Sequence, residues 1–280
     1  MRPILELMRL HKPIGIWLCY LPAAWALAVH GAEPTVFLIF LLGAAAMRAA
    51  GCILNDIADR DFDKHVARTQ SRPLAAGTLT LKQAIMLLAV LLLVGLAIIL
   101  SLPPLALPLA FCVLALIAAY PWMKRITYWP QLFLGVTFNT GILFASIATT
   151  GDITLSAWLF YAAALFWTLG YDTIYALQDT QDDALIGVKS TALRLGKYVP
   201  IFALGCYLAM WLLLVSAGII AKLGIYYEFG LLLVAAHACL QIRRLRRGSN
   251  AGDIFRSNEW LGLVLLIAIL ADEWHSSVTL

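Results

Sequence analysis

The feature that most constrains this chain is a succession of long apolar segments. Nine runs stand out, near residues 14–30, 35–57, 84–102, 104–120, 129–149, 153–175, 199–221, 224–240 and 259–273. A helix that crosses a bilayer needs about 20 mostly apolar residues. Of the 280 residues, 62% are hydrophobic and only 13% are charged. The sequence therefore predicts an all-α polytopic membrane protein in contact with the lipid bilayer and excludes a soluble fold.

The basic residues are concentrated in alternate connections. Eighteen of the twenty Lys and Arg residues lie in the N-terminal segment or in the four longer links, at 58–83, 121–128, 176–198 and 241–258. By the positive-inside rule this face is cytoplasmic. We therefore predict a multi-pass protein of the cell inner membrane whose charged side faces the cytoplasm. The net charge of +4 reflects this orientation and does not predict nucleic-acid binding.

A first acidic cluster lies where the second run ends. On a continued helix Asn55, Asp59 and Asp63 recur every four residues along one stripe, with Asp56 beside them. Carboxylates on one stripe repel one another unless a cation lies between them. Magnesium favours a few carboxylate oxygens together with phosphate oxygens. The stripe predicts a site for a metal-bound diphosphate; the alternative is a solvated polar helix end.

A second acidic cluster follows the sixth run. Asp172, Asp179 and Asp183 are separated by seven and four residues, so on one continuous helix they lie within about 40° of each other. Acidic residues at a membrane helix end are costly unless they are paired or bind a metal. Two clusters on one face predict a clamp for one diphosphate.

Basic side chains in the same loops can neutralise a leaving diphosphate. For each of them the alternative role is orientation in the membrane. The candidates are Arg68, Arg72, Lys124, Arg125, Lys189 and Arg194.

Arg48 is a separate case because it lies inside the second run, seven residues before Asn55 and about 10 Å deeper on a helix. An unpaired Arg at that depth is costly. It therefore pairs either with an acidic side chain such as Asp172 or with the carboxylate of an acceptor substrate.

The two acidic clusters form a weak internal repeat, because Asp56 and Asp172 lie 116 residues apart. This spacing is consistent with a duplicated unit, runs one to four and runs five to eight, inside a single domain of residues 1–280.

These motifs resemble the UbiA superfamily of intramembrane prenyltransferases, whose signatures are N-D-x-x-D-x-x-x-D and D-x-x-x-D. Asn55, Asp56, Asp59 and Asp63 match the first, and Asp179 and Asp183 match the second. Gln181 departs from the second motif, where an acidic residue often stands. Further matching blocks are Arg9–Gly15, Met47–Cys52, Arg72–Leu74 with Gly77, Tyr120–Arg125, Pro130–Gln131, Tyr171–Thr173 with Tyr175–Ala176, and Gly187–Thr191.

The resemblance implies nine transmembrane helices around a central cavity, a lateral opening to lipid and dependence on Mg2+. The expected catalytic and metal-binding residues are Asp56, Asp59, Asp63, Asp179 and Asp183. The expected diphosphate-binding residues are Asn55, Arg68, Arg72, Lys124, Arg125 and Lys189. The candidate acceptor-binding residues are Arg9, Arg48, Arg125, Asp172 and Tyr175.

Within the superfamily the chain looks most like the 4-hydroxybenzoate polyprenyltransferases of ubiquinone biosynthesis. The resemblance therefore implies transfer of a polyprenyl group from polyprenyl diphosphate to the ring carbon ortho to the hydroxyl of 4-hydroxybenzoate. Another aromatic acceptor, dihydroxynaphthoate or homogentisate, is the first alternative. A cation-coupled transporter is a second, because intramembrane acids also serve as ion relays. A membrane phosphotransferase is a third, but its D-G-x-x-A-R opening is absent here.

Overall fold

The computed structural model describes residues 2–64 and 69–279. These residues form helices, and the described part of the chain contains no β-strand, which confirms the all-α prediction. Two 3-10 turns lie at Ala176–Gln178 and Gly196–Tyr198. The α-helices are α1 (Arg2–Leu7), α2 (Ile14–Val29), α3 (Pro34–Asp63), α4 (Leu81–Leu100), α5 (Ala106–Ile126), α6 (Pro130–Phe138), α7 (Gly141–Thr150), α8 (Leu155–Tyr175), α9 (Thr180–Ile186), α10 (Thr191–Leu195), α11 (Val199–Ala221), α12 (Ile225–Arg246), α13 (Ala251–Arg256) and α14 (Asn258–Thr279).

Seven helical segments of the described chain are long and apolar enough to cross a membrane, and they confirm a multi-pass membrane protein. They are α3, α4, α5, α6 with α7, α10 with α11, α12, and α13 with α14. The helix α2 has only 16 residues, fewer than the roughly 20 that span a bilayer. The helix α8 has 21 residues but is largely buried and carries several Trp, Tyr and Thr side chains. The count of nine crossings therefore stays a prediction.

Two apolar cores hold the helices together. The larger joins α2 and α8 to α11, α12 and α14. In it the rings of Trp25 and Trp167 lie 5.3 Å apart, and the Trp25 indole donates a hydrogen bond of 2.9 Å to the carbonyl of Gly262. The smaller core packs α1 and α4 against α3 around Leu7 and Ile53. Helices of both cores contribute residues to the cavity described below.

The run at 129–149, predicted as one helix, is broken between α6 and α7. At the break the buried amide of Asn139 donates to the carbonyls of Gly135 at 2.8 Å and Ala164 at 3.2 Å, and to the hydroxyl of Thr168 at 2.9 Å. Backbone that leaves a helix at membrane depth is tolerated only where protein groups replace the lost hydrogen bonds. Asn139 supplies such replacements and ties the break to α8.

The last helix supplies the cap of α12. Gly224 precedes α12 and has no side chain that could accept a hydrogen bond from the first turn. The carboxylate of Asp272 on α14, only 5% exposed, accepts hydrogen bonds from the backbone N–H groups of Gly224 and Tyr226 instead. A negative charge at a helix N-terminus is also electrostatically favourable. The contact therefore ties α14 to the start of α12.

Candidate active site

The first acidic cluster lies on the last turns of α3, which stays helical through Asp63 as the spacing predicted. The side chains of Asp56, Asp59 and Asp63 are all buried, with exposed fractions of 2%, 5% and 7%. Three buried carboxylates within two helical turns require compensating positive charge. The fold supplies that charge from three separate segments.

Two arginines neutralise the ends of this stripe. The guanidinium of Arg9 donates to both carboxylate oxygens of Asp56 at 2.9 Å. Arg72 lies 3.2 Å from Asp56 and donates to Asp63 at 2.8 Å, so one guanidinium bridges two carboxylates. Burial by itself lowers the pKa of Arg72, but the charges of Asp56 and Asp63 outweigh it and raise that pKa above its ordinary value. Arg72 is therefore a permanent cation.

The middle of the stripe is compensated from α5. The ammonium of Lys124 forms an ion pair with Asp59, and Arg125 approaches the other oxygen of Asp59 at 3.6 Å. Arg125 donates instead to the carbonyl of Ala58 at 2.8 Å, and its guanidinium lies over the Phe62 ring at 4.8 Å. Atom Oδ1 of Asp59 is consequently buried without a hydrogen-bond partner.

The second cluster has a different geometry from the one predicted. The helix α8 ends at Tyr175, a 3-10 turn follows, and α9 begins after Asp179. Asp172 and Asp183 therefore lie on different helices, and the prediction that they share one face of a continuous helix was wrong. Asp179 occupies the N-cap position of α9, where its carbonyl accepts a hydrogen bond of 2.8 Å from the N–H of Asp183.

One cavity of about 1090 Å³ brings both clusters together. The expected catalytic, metal-binding, diphosphate-binding and acceptor-binding residues in the described part of the chain all line it, whereas Arg68 lies outside the described residues. Arg194 does not line it and is exposed beside the ring of Tyr128, at 5.9 Å. The lining residues from the predictions are Arg9, Arg48, Asn55, Asp56, Asp59, Asp63, Arg72, Lys124, Arg125, Asp172, Tyr175, Asp179, Asp183 and Lys189.

The rest of the cavity wall is apolar and comes mainly from α3, α4 and α5. Leu93 on α4 and Phe111 on α5 line the cavity, yet they are 63% and 65% exposed on the protein surface. Side chains that border the cavity are therefore also open to the surroundings of the helices, which in a membrane is lipid. The cavity combines a charged end with an apolar wall, as an amphiphilic ligand requires.

Arg48 on α3 has no acidic partner within ion-pair distance among the described residues, so the pairing with Asp172 is not observed. Its Nη1 contacts the sulfur of Cys52, and its Nε is buried without a hydrogen-bond partner. The guanidinium lies directly over Gly15 on α2, where even a Cβ atom would overlap it. Arg48 thus reaches the cavity with unused donor capacity.

Hydrogen bonds that the sequence pattern does not predict position the loops around the cavity. The side chain of Gln131 on α6 is 7% exposed and accepts hydrogen bonds from the N–H of Thr191 at 3.0 Å and its hydroxyl at 2.8 Å. The N–H of Lys189 donates to the carbonyl of Lys124 at 2.8 Å. Polar residues at a helix start, such as Gln131, were a weak signal for this role. Phe255, on α13, also lines the cavity.

The carboxylates suit magnesium that arrives with a diphosphate. Among the described residues no three His, Cys, Asp or Glu side chains converge tightly enough to hold a metal by themselves. Magnesium is commonly bound by one or two carboxylates, with waters and substrate phosphates completing the shell. Atom Oδ1 of Asp59, which accepts no hydrogen bond, is a hard oxygen donor of the required kind. The donor set therefore fits Mg2+ bound jointly with substrate.

Comparison with known sequences decides the family. The sequence profile of the UbiA prenyltransferase family matches residues 16–266. The chain belongs to this family. It is 46% identical to the mitochondrial 4-hydroxybenzoate polyprenyltransferase of Caenorhabditis elegans over 97% of this chain and 78% of that protein.

Solved structures of UbiA homologs share the fold. The apo structure of a UbiA homolog from Aeropyrum pernix K1 aligns with a TM-score of 0.81 at 27% identity, covering 91% of this chain and 97% of that one. A UbiA homolog from Archaeoglobus fulgidus bound to GPP and Mg2+ aligns with a TM-score of 0.74 at 17% identity, covering 97% and 99%. The helical arrangement of this UbiA-family chain is thus one that solved structures also contain.

Proposed function

We propose that this chain transfers a polyprenyl group from polyprenyl diphosphate to the ring carbon ortho to the hydroxyl of 4-hydroxybenzoate, releasing diphosphate, in ubiquinone biosynthesis. The observation that carries the proposal is the cavity, in which seven buried or half-buried aspartates and several cations meet an apolar wall. The 46% identity to a 4-hydroxybenzoate polyprenyltransferase over most of both chains supports the choice of reaction. Family membership favours the enzyme over a cation-coupled transporter.

The two acidic clusters hold the diphosphate end of the donor. Asp56, Asp59 and Asp63 on α3, with Asp179 and Asp183 around the start of α9, would hold Mg2+ together with the substrate phosphates. When bound, Mg2+ neutralises the charge that grows on the diphosphate as the allylic C–O bond breaks. The residues assigned to the diphosphate itself are Asn55, Arg72, Lys124, Arg125 and Lys189.

Two of the basic residues would serve first the aspartates and then the phosphate. Arg72 and Lys124 already lie against the aspartates that would hold the metal. With those carboxylates bound to a metal ion, the guanidinium and the ammonium would be able to donate to phosphate oxygens. The site thereby keeps its charges compensated before and after the donor binds.

The acceptor receives the allylic group at carbon. The electron pair of the C–O bond leaves with the diphosphate, the ring carbon ortho to the hydroxyl forms the new C–C bond, and loss of a ring proton restores aromaticity. The apolar wall from α3, α4 and α5 keeps water away from the allylic cation. The unused donors of Arg48 suit the acceptor carboxylate, with Arg9, Arg125, Asp172 and Tyr175 as its further candidate contacts.

We further propose that the cavity opens toward the cytoplasm from the cell inner membrane. The support is the distribution of basic residues, because eighteen of the twenty Lys and Arg lie in the N-terminal segment or in the four longer links on the side of the aspartates. The predicted duplication of runs one to four and five to eight stays a proposal as well.

The deciding experiment incubates membranes containing the protein with Mg2+, radiolabelled 4-hydroxybenzoate and a polyprenyl diphosphate. A labelled lipophilic product is expected, and it should disappear with EDTA or in Asp63→Asn. Asp61→Asn is the matched control, because Asp61 is exposed, pairs with Lys64 at 3.0 Å and does not line the cavity. Absence of an Asp63-dependent product from 4-hydroxybenzoate, dihydroxynaphthoate and homogentisate alike would refute a prenyltransferase, and product from one of the others alone would correct the acceptor.

A second measurement tests the acceptor contact. Arg48→Lys keeps a positive charge but loses the planar fork that binds a carboxylate through two parallel hydrogen bonds. The KM for 4-hydroxybenzoate should rise about tenfold, with the KM for the prenyl diphosphate nearly unchanged. If the KM for each substrate in Arg48→Lys equals that of wild type, Arg48 is a structural residue and does not contact the acceptor.

A further inference from the structure

The short helix α13 lies between α12 and α14 and carries one side chain to the active-site cavity. Phe255 is half-buried and lines the cavity, although it lies nearly 200 residues from the first acidic cluster. The segment 241–258 looks like a basic loop in the sequence, so nothing in its pattern marked this residue. Phe255 has no part in diphosphate chemistry, because a phenyl ring offers neither charge nor a metal ligand.

Phe255 belongs to an aromatic cluster on the α8 side of the cavity. Its ring centroid lies 4.4 Å from that of Tyr175, with the planes inclined by 42°, and 5.5 Å from that of Tyr171 in an edge-to-face contact. Both tyrosines also line the cavity. Tyr171 is 1% exposed, and its hydroxyl has no hydrogen-bond partner. The cluster therefore offers ring faces to a ligand.

Two buried amides fix the backbone that carries Phe255. The Asn258 amide, which is fully buried, donates to the carbonyls of Ile254 and Phe255, both at 3.1 Å, and accepts from the Trp167 indole at 2.8 Å. Gln241 on α12, 1% exposed, donates to the hydroxyl of Ser257 at 2.9 Å. Buried polar groups cost free energy unless they are hydrogen-bonded. The Asn258 amide thus links the end of α13 to α8, and the Gln241 amide links it to α12.

The position of the aromatic cluster in the cavity indicates which of the two substrates it contacts. The apolar wall open to lipid comes from α3, α4 and α5, whereas the aromatic cluster comes from α8 and α13. Tyr171 precedes Asp172 directly, and Tyr175 follows it by less than one helical turn. Aromatic rings pack on one another in offset and edge-to-face geometries that a flexible isoprenoid chain does not need. The cluster thus suits a flat aromatic ligand.

We infer that Phe255 is a specificity-determining residue for the aromatic acceptor and that, with Tyr175, it forms the wall on which the acceptor ring packs. The inference rests on the proposed function, because it names the part of that site that reads the ring. The buried amides of Gln241 and Asn258 act as positioning residues through α13.

The test is the Phe255→Leu variant, which keeps an apolar side chain and removes the ring. Steady-state kinetics with 4-hydroxybenzoate and the prenyl diphosphate should show an acceptor KM about three- to tenfold higher. The KM for the prenyl diphosphate should stay within about twofold of wild type. Unchanged KM values, or equal increases for both substrates, would overturn the inference.

A matched control is Phe160→Leu. Phe160 lies on α8, is 1% exposed and packs edge-to-face on Tyr227 at 6.4 Å, but it does not line the cavity. This variant should lower the thermal midpoint without separating the two KM values. If Phe160→Leu also raised the KM for the acceptor and not that for the prenyl diphosphate, general loosening of the fold, rather than the wall at Phe255, would determine acceptor binding.

A second variant covers the case in which Phe255→Leu does not fold. Phe255→Trp keeps an aromatic ring but fills more of the space beside it, which a larger acceptor needs. The ratio of kcat/KM for a bicyclic hydroxynaphthoate to kcat/KM for 4-hydroxybenzoate should therefore fall at least about threefold. An unchanged ratio would overturn the inference. Wild-type turnover of 4-hydroxybenzoate reports on the proposed function separately: if it is present, a failure of these variants refutes only the role of Phe255, and if it is absent, both proposals fall.

Discussion

The two acidic clusters of the cavity are built in different ways. On α3 the carboxylates are buried on an unbroken helix, and each faces a cation from another segment, as Arg72 faces Asp63 and Lys124 faces Asp59. Around α9 the chain leaves one helix and starts another, and Asp179 and Asp183 are only partly buried. The first cluster is thus assembled by the fold in advance, whereas the second is placed by a local turn.

The first motif thus lies on one unbroken helix with buried carboxylates in long-range ion pairs, whereas the second lies where one helix ends and another begins, with carboxylates that are only partly buried. Buried carboxylates destabilise the fold when they lose their partners, while carboxylates at a helix start cost little. Substitutions in the first cluster should therefore affect both activity and stability. Substitutions in the second should affect mainly activity.

The largest effect is expected for Asp59→Asn. Asp59 carries a buried oxygen without a hydrogen-bond partner, and the amide would replace one oxygen donor and remove the charge that faces Lys124. We expect kcat to fall about 10³-fold. Radiolabelled product formation measures the loss, and Asp61→Asn on the exposed side of the same helix should keep nearly full activity.

Asp183→Asn should cost less, about ten- to 100-fold in kcat. The side chain is half-buried and belongs to the cluster that a local turn places, so the thermal midpoint should stay close to that of wild type. Activity titrated with Mg2+ would show a higher requirement for the metal. A loss as large as in Asp59→Asn, together with a lower thermal midpoint, would remove the distinction between the clusters. The exposed Asp152, outside the cavity, supplies the control Asp152→Asn.

Arg72→Met tests whether ion pairs hold the first cluster. Arg72 bridges Asp56 and Asp63, so its removal takes away the cation beside Asp63 and leaves Asp56 with Arg9 alone. The KM for the prenyl diphosphate should rise about tenfold. The readout specific to the ion pairs is thermal stability, which added Mg2+ should raise more in the variant than in wild type, because the metal replaces the missing charge.

The control for this variant is Arg60→Met, since Arg60 is partly exposed, pairs with Asp61 at 3.4 Å and does not line the cavity. Identical Mg2+ dependence of the thermal midpoint in wild type and Arg72→Met would contradict compensation by Arg72.

The smallest effect is expected for Lys189→Met. Its ammonium donates to the carbonyl of Ile126 at 3.0 Å and lies over the Tyr128 ring at 5.6 Å, so it contributes little to holding a carboxylate. The KM for the prenyl diphosphate should rise about two- to threefold. Lys197→Met, which removes an exposed cation outside the cavity, should change nothing. If the KM for the prenyl diphosphate rose as much in Lys189→Met as in Arg72→Met, Lys189 would be as important for donor binding as Arg72.

The sequence predicted the first cluster better than the second for a physical reason. The four-residue spacing from Asn55 to Asp63 suits an unbroken helix, and α3 runs through all of it. Residues 176–186 contain neither Gly nor Pro, so no local signal marked the end of α8 at Tyr175.

The break near Asn139 was missed for a similar reason, because the amide that stabilises it bonds to α8, 25 and 29 residues away along the chain. Phe255 is the extreme case: its role depends on contacts with Tyr171 and Tyr175 that no spacing within 241–258 encodes. Periodicity predicts where helices form. Where a helix ends and which side chains line the cavity depend on contacts with residues far away in the chain, which periodicity does not encode.

The cap that Asp272 provides has a consequence for biogenesis. Asp272 on α14 is translated 48 residues after Gly224, so the N–H groups of Gly224 and Tyr226 cannot meet this acceptor until α14 has been made and packed beside α12. The start of α12 matures only when the final helix has been inserted beside it. The last hairpin of the protein is thus a unit of assembly, and a chain that stops before Asp272 leaves a helix that was translated earlier unfinished.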